Sequence, residues 1–312
     1  MKFGFLTGCL QGMSLKEKIK YAHQVGFNAL DISCWPKQNA RDYSGSDIDT
    51  ENLTDEKAAK IKEWMHKYKV TFTSLAYYDN MLSPDKKLKK KYYKHLKSVI
   101  AAAEKLNVSL VGCFVGKNQN KSIEENFDDF ESLFSGLVHF AKIHRVKLMV
   151  ENCPMPGWQA EGYPATISYS PELWDEMFRR IPDKNLGLNF DPSHLLWLGI
   201  DYQKALLQYH KRIFHIDAKD IQIHPKAFYR YGIFGKKLHR KNPEDLGFWT
   251  PVIPGLGDIN WSKFYGAMKK INYNGCFSIE LEDRNFSSNN RLVKKGLEYS
   301  YNHLKPIITE FK

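Results

Sequence analysis

Eight short runs rich in β-branched and aromatic residues recur along the chain, each followed by an amphipathic helical stretch. The runs are FGFLTG (3–8), ALDISC (29–34), TFTSLAYY (71–78), SLVGCFVG (109–116), KLMVENC (147–153), LGLNFD (186–191), RIFHIDAKD (212–220) and GCFSIELED (275–283). Apolar periodicity predicts helices near 14–25, 53–69, 85–106, 122–145, 171–181, 201–210, 261–271 and 290–305. Strands joined through helices run parallel, because each helix carries the chain back to the end of the sheet where the previous strand began. Eight such units, with no linker rich in Gly, Ser or Pro, predict closure into an α/β fold, a (β/α)8 TIM barrel, as a single domain over 1–312. Such barrels need about 250 residues plus loop insertions, and 312 residues suit that. A doubly wound dinucleotide fold would want a glycine-rich turn after the first strand, and LTGCLQG (6–12) lacks the GxGxxG spacing. Ser14 before LKEK, Thr54 before DEKA and the pair Ser170-Pro171 read as helix starts.

Two segments are longer than the rest, 154–170 after strand five and 221–260 after strand seven. Both follow strand C-terminal ends, the face where barrels of this kind keep their chemistry, so they read as lids or substrate walls. No apolar run approaches the roughly 18 residues that span a bilayer. Gly4 and Gly8 interrupt the N-terminal apolar stretch, which therefore reads as a first strand instead of a secretory signal, and a cytoplasmic location follows by default. The five cysteines, Cys9, Cys34, Cys113, Cys153 and Cys276, are odd in number and show no CxxC spacing, which argues for small, buried, reduced thiols. A formal charge of +11 raises nucleic acid as a partner. Much of it lies in runs such as KKLKKKYYKHLK (86–97), at positions a helix turns to solvent, which disfavours that partner.

The chemistry concentrates at the ends of the last four strands. Strand five ends in Glu151, strand six in Asp191, strand seven in Asp217 or Asp220, and strand eight in Glu280 or Glu282. Inward-pointing side chains near a strand's end reach the barrel mouth. Carboxylates gathered there repel one another unless a cation or several arginines neutralise them. Those strands hold no matching arginine cluster, so a divalent ion in an oxygen-rich cage is the simpler account.

The segments VENCPM (150–155), GLNFDPSHLLW (187–197), HIDAKD (215–220), VIPGLGDINW (252–261) and FSIELED (277–283) resemble the sugar isomerase/epimerase family with the xylose isomerase-like barrel. ALDISCWP (29–36) and LAYYDNMLSPD (75–85) are similar to it as well. The resemblance implies one divalent metal ion held by Glu151, Asp191, Asp217 and Glu280. Many relatives read HxHxKD, with a second His where this chain has Asp217; His215, two residues earlier, is the alternative ligand from that strand. With Asp217 the cage is all oxygen and suits Mn2+ or Mg2+, whereas a His would leave Co2+ or Zn2+ open. The resemblance further implies a metal-dependent isomerase or epimerase of a sugar or sugar derivative, working by proton abstraction next to a carbonyl through an enediolate. Glu151 and Glu280 would be the proton-transfer pair, with the ion as Lewis acid. His194 matches a substrate-contacting His, although a lone His near a helix start is usually a surface or capping residue. Lys219 and His215 are further candidates to contact substrate, Lys219 being equally able to pair with Asp217 or Asp220. Trp35 and Trp158 are candidates to pack a sugar's apolar face, an exposed-loop Trp being otherwise a lid anchor. Glu282 and Asp283 read as groups that position the Glu280 loop or salt-bridge to Arg284, instead of touching metal.

Three rivals accompany this reading. An inosose dehydratase-like lyase starts from the same proton abstraction and then expels a hydroxide. An endonuclease IV-type apurinic endonuclease suits the basic charge but needs several zinc ions and many His ligands, and Trp35 and Tyr77 or Tyr78 stand at the strand-two and strand-three ends. A non-catalytic sugar-binding barrel fits less well with both glutamates present. The expected partner is a small-molecule sugar or polyol-like substrate, with no membrane; a homo-oligomer is left open, as are the sugar and its phosphorylation.

Overall fold

The computed structural model describes residues 1–36, 45–156, 164–242 and 245–309. Eight parallel strands form one sheet: β1 (Lys2–Phe5), β2 (Ala29–Ser33), β3 (Thr71–Tyr77), β4 (Leu110–Cys113), β5 (Lys147–Glu151), β6 (Leu186–Phe190), β7 (Ile213–Ala218) and β10 (Cys276–Ile279). Their order around the sheet is β1-β10-β7-β6-β5-β4-β3-β2. The remaining seam, between β1 and β2, is drawn together by a parallel bridge from Leu6 to Asp31 and by Asn28, whose N–H donates to Phe3 O at 3.1 Å. The predicted barrel of eight parallel strands is therefore present.

Helices α1 (Leu15–Val25), α2 (Asp55–Tyr68), α3 (Lys86–Leu106), α4 (Ile123–Ile143), α5 (Pro171–Arg180), α6 (Pro192–Trp197), α7 (Tyr202–Tyr209), α8 (Pro225–Tyr231), α9 (Trp261–Lys270) and α10 (Asn290–Thr309) complete the fold. Their starts follow the local chemistry. Ser14 and Ser122 build capping boxes with Glu17 and Glu125, and Thr54 and Asp85 accept N–H bonds from the first turns of α2 and α3. Ser170 differs from its expected role: Pro171 opens α5, but the Ser170 side chain makes no capping hydrogen bond. On α3, Lys86, Lys87, Lys90, Lys91 and Lys94 face solvent while His95, Leu96, Val99 and Ile100 are buried, as the sequence implied. The five thiols are free, and four of them are buried. Among the described residues, no helix is long and apolar enough to cross a membrane.

Strand seven is shorter than its sequence run. The chain leaves the barrel at Lys219 and continues as β8 (Asp220–Ile223), which pairs antiparallel with β9 (Trp249–Val252). This ribbon and α8 organise the long segment expected as a loop over 221–260. It rests on its own small core of Trp197, Ile221, Leu246 and Phe248, with the Trp197 and Trp249 rings stacked at 5.2 Å. A ribbon packed on α6 in this way forms a fixed wall at the mouth of the barrel.

Candidate active site and metal centre

Two irregularities in the sheet arrange the polar interior. Pairing between β2 and β3 shifts at Leu30/Asp31, which sets Asp31 beside Ser74. Pairing between β6 and β7 shifts at Leu188/Asn189, which sets Asn189 beside His215. Bulges of this kind re-aim side chains near functional sites. Asp31, Ser74, Asn189 and His215 are all fully buried. The Ser74 hydroxyl donates to Asp31. The Asn189 amide donates to Asp217 Oδ2 at 2.6 Å and to the Tyr78 hydroxyl at 3.0 Å, and its carbonyl pairs with His215 Nδ1 at 2.7 Å. Because the Asn189 amide nitrogen is the donor in the first two, its oxygen must accept, so the proton is assigned to His215 Nδ1 and Nε2 is left toward Asp31, 3.9 Å away.

Above this layer, Glu151, Asp217 and Glu280 each offer an oxygen atom within 4.8 Å of the others. Glu151 and Asp217 are buried and Glu280 is nearly so. Burial pushes the Glu151 carboxyl up to about 7, with the Lys219 ammonium opposing the rise and Glu282 adding to it. Burial, then the neighbouring charges of Glu151 and Asp191, hold Asp217 well above the usual carboxylate range. Burial raises Glu280 likewise, against the pull of Lys219. The donor set fits a divalent cation. Asp191 Oδ2 and Glu280 Oε2 are buried without a hydrogen bond, which leaves lone pairs free to ligate an ion.

Asp191 caps α6 through Oδ1, which accepts from Ser193 N at 2.7 Å, and its backbone is clasped by Asn152 in two hydrogen bonds. Its Oδ2 lies 3.1 Å from His194 Nε2, which is also 3.4 Å from Glu151 Oε1. His194 is therefore inside the site and not on the surface. Burial pushes its imidazolium down to about 4, so the ring is neutral near pH 7. Lys219 is buried and pairs with Glu282 at 2.6 Å and Glu280 at 3.5 Å, where the sequence suggested Asp217 or Asp220 as its partner. Trp35 is buried against Tyr77 and Tyr78, so it forms part of the wall. Trp158, the other candidate sugar platform, lies outside the described residues.

A profile of the xylose isomerase-like TIM barrel matches residues 19–303. The chain belongs to that family. Among curated relatives of this family member, the protein YfiH of Bacillus subtilis, itself uncharacterised, is 30% identical over 162 residues, 51% of this chain and 49% of YfiH. Inosose dehydratase of Clostridium perfringens is 26% identical over 123 residues, 38% of this chain and 37% of that protein. The chain thus spans half or less of the length of these two relatives. Among solved structures, D-psicose 3-epimerase with D-tagatose from Clostridium cellulolyticum H10 superposes with a TM-score of 0.70 at 14% identity, covering 99% of each chain. The IolI protein with a bound zinc atom gives 0.71 at 17% identity, covering 100% of this chain and 99% of that one. At these identities the structures establish the shared barrel.

Several residues at the mouth of this xylose isomerase-like barrel escape a reading of strand-end acids. Asp220, an alternative for strand seven, is turned away from the trio. Its oxygens accept from Ile221 N, Ile259 N, Gly255 N and Trp261 Nε1 at 2.9–3.1 Å, which ties down the PGLGDINW segment. The fit is close enough that a Cβ on Gly257 would sit 2.1 Å from Asp220 Oδ1. Asp283 does similar work, accepting from Ile253 N and Asn285 N. Asn189 was missed because it is uncharged, although it shares the inward parity of Asp191. Asp31 had a visible signal, a lone acid in the apolar run ALDIS.

Proposed function

We propose that this barrel is a metal-dependent isomerase or epimerase of a sugar or polyol-like substrate, working by proton transfer at a carbon next to a carbonyl through an enediolate. The observation that carries the reading is the trio Glu151, Asp217 and Glu280, gathered within 4.8 Å, its two glutamates coming from different strand ends. Glu151, Asp191, Asp217 and Glu280 would hold the ion, with Mn2+ or Mg2+ suited to that oxygen set and Co2+ or Zn2+ as alternatives. Lewis acidity at the substrate carbonyl is what a divalent ion contributes when bound.

The chain's own residues do the rest. Glu151 accepts the proton and Glu280, just past the end of β10, returns one from a different strand end. Neutral His194 offers a hydrogen bond to a substrate oxygen without adding charge. Lys219 holds the Glu280 and Glu282 carboxylates in place and presents an ammonium to substrate oxygens. Asn189 fixes the Asp217 carboxylate and the His215 tautomer, so His215 supports the site from below.

The test is proton exchange. The wild-type protein with Mn2+ and a panel of ketoses and keto-polyols in D2O should incorporate deuterium at the carbon next to the carbonyl of its substrate, read by NMR. Glu151→Gln and Glu280→Gln should each abolish that exchange with circular dichroism unchanged. Full exchange in either variant would sink the two-glutamate scheme. A second reading, β-elimination from a keto-polyol, is supported by the inosose dehydratase relatives. It shares the first step and is told apart by a product that has lost a hydroxyl.

A further inference from the structure

Cys153, which has no role in proton transfer, is buried two residues beyond Glu151 at the same end of β5. Its sulfur, a Glu151 oxygen and a His194 nitrogen all lie within 4.8 Å of one another. Neither ring nitrogen of His194 makes a hydrogen bond, although the side chain is only 4% exposed and Nε2 lies 3.1 Å from Asp191 Oδ2 and 3.4 Å from Glu151 Oε1. The backbone after Cys153 is bent to serve the sulfur. Met155 adopts the left-handed conformation at φ 51°, unusual for a non-glycine residue, and its N–H donates to Cys153 Sγ at 3.4 Å. An N–H aimed at sulfur stabilises the charge a thiolate carries when it ligates a metal. The Met155 thioether, 3.4 Å from the same sulfur, makes the surroundings softer still.

We propose that Glu151, Cys153 and His194 form a second, thiophilic metal-binding lobe that shares Glu151 with the carboxylate lobe. Its ligand is a borderline or soft divalent cation, such as zinc, cobalt or cadmium. Thiolate and imidazole donors select such ions, whereas carboxylates alone suit magnesium and manganese. A carboxylate has lone pairs enough to face either way, so the kind of ion decides which side of Glu151 is filled. Zinc on the Cys153 side would engage His194, the residue assigned to substrate. The inference does not rest on the sugar reading, since sulfur ligation can be measured in a protein that turns over nothing.

X-ray absorption at the zinc edge of the full-length, zinc-loaded protein tests it. The expected result is a sulfur scatterer at about 2.3 Å in the first shell, lost in Cys153→Ser and retained in Asp217→Asn. Cobalt should show a near-ultraviolet thiolate-to-metal charge-transfer band with the same dependence. Should the serine variant fail to fold, Cys153→Ala carries the same readout. A zinc shell of nitrogen and oxygen alone in the wild-type protein overturns the proposal. So does a sulfur signal that survives removal of Cys153, which would place the ion on another thiol.

Discussion

Glutamine in place of Glu151 should stabilise the metal-free protein at pH 8 while removing its activity. The folded chain raises the Glu151 carboxyl from the ordinary 4.5 to about 7, chiefly by burial. A raised acid binds its proton more tightly in the folded state than in the unfolded one. Stability from this group is therefore intact below pH 4.5, falls as pH climbs, and is fully lost above about 7. At about 1.4 kcal/mol for each tenfold change in acidity, the loss is about 3 kcal/mol. Glutamine keeps the shape and cannot ionise. The variant should thus match the wild type near pH 4.5 and exceed it by about 3 kcal/mol at pH 8. Urea denaturation in the presence of a chelator at pH 4.5, 6 and 8 measures this directly. Saturating Mn2+ should erase the advantage at pH 8 by neutralising the wild-type cluster. A difference independent of pH, or a variant less stable at pH 8, would refute the argument that uncompensated burial of this carboxylate strains the site.

Asp220→Ala should cost about 3–5 kcal/mol, because it orphans several buried N–H donors at once; thermal denaturation checks it, and Gly257→Ala should be destabilising through the same contact. Asn189→Ala should weaken Mn2+ binding by about 10- to 100-fold in calorimetric titration, since it frees the Asp217 carboxylate to turn. Arg180 bridges Glu176, Asp128 and Glu131 at 2.7–3.0 Å. These pairs are half-buried at the solvent boundary, so Arg180→Ala should lower the melting temperature slightly, with the difference shrinking in 1 M salt.

The barrel was legible because its signals are local and repeated. Eight apolar runs, their spacing and the helix starts at Ser14 and Thr54 each follow from nearest-neighbour chemistry. The acids at the strand ends were legible for the same reason, since a carboxylate on an inward position needs an account. What the sequence concealed depends on contacts between distant strands. The two register shifts that place Asp31 by Ser74 and Asn189 by His215 leave no compositional trace. The chain's exit from the barrel at Lys219 turned Asp220 from a candidate ligand into the anchor of a loop, and gave Lys219 to Glu282. Cys153 was read as a small, buried, reduced thiol, and only the left-handed turn at Met155 and the ring of His194, which makes no hydrogen bond, mark its surroundings.

A divalent ion at the ends of the last four strands would show itself in anomalous diffraction from Mn2+-soaked crystals. One strong peak bounded by Glu151, Asp191, Asp217 and Glu280 is expected, weakened in Asp217→Asn and Glu280→Gln. Ordered carboxylates around a metal-free mouth at saturating Mn2+, or a peak bound only elsewhere on the chain, would contradict it.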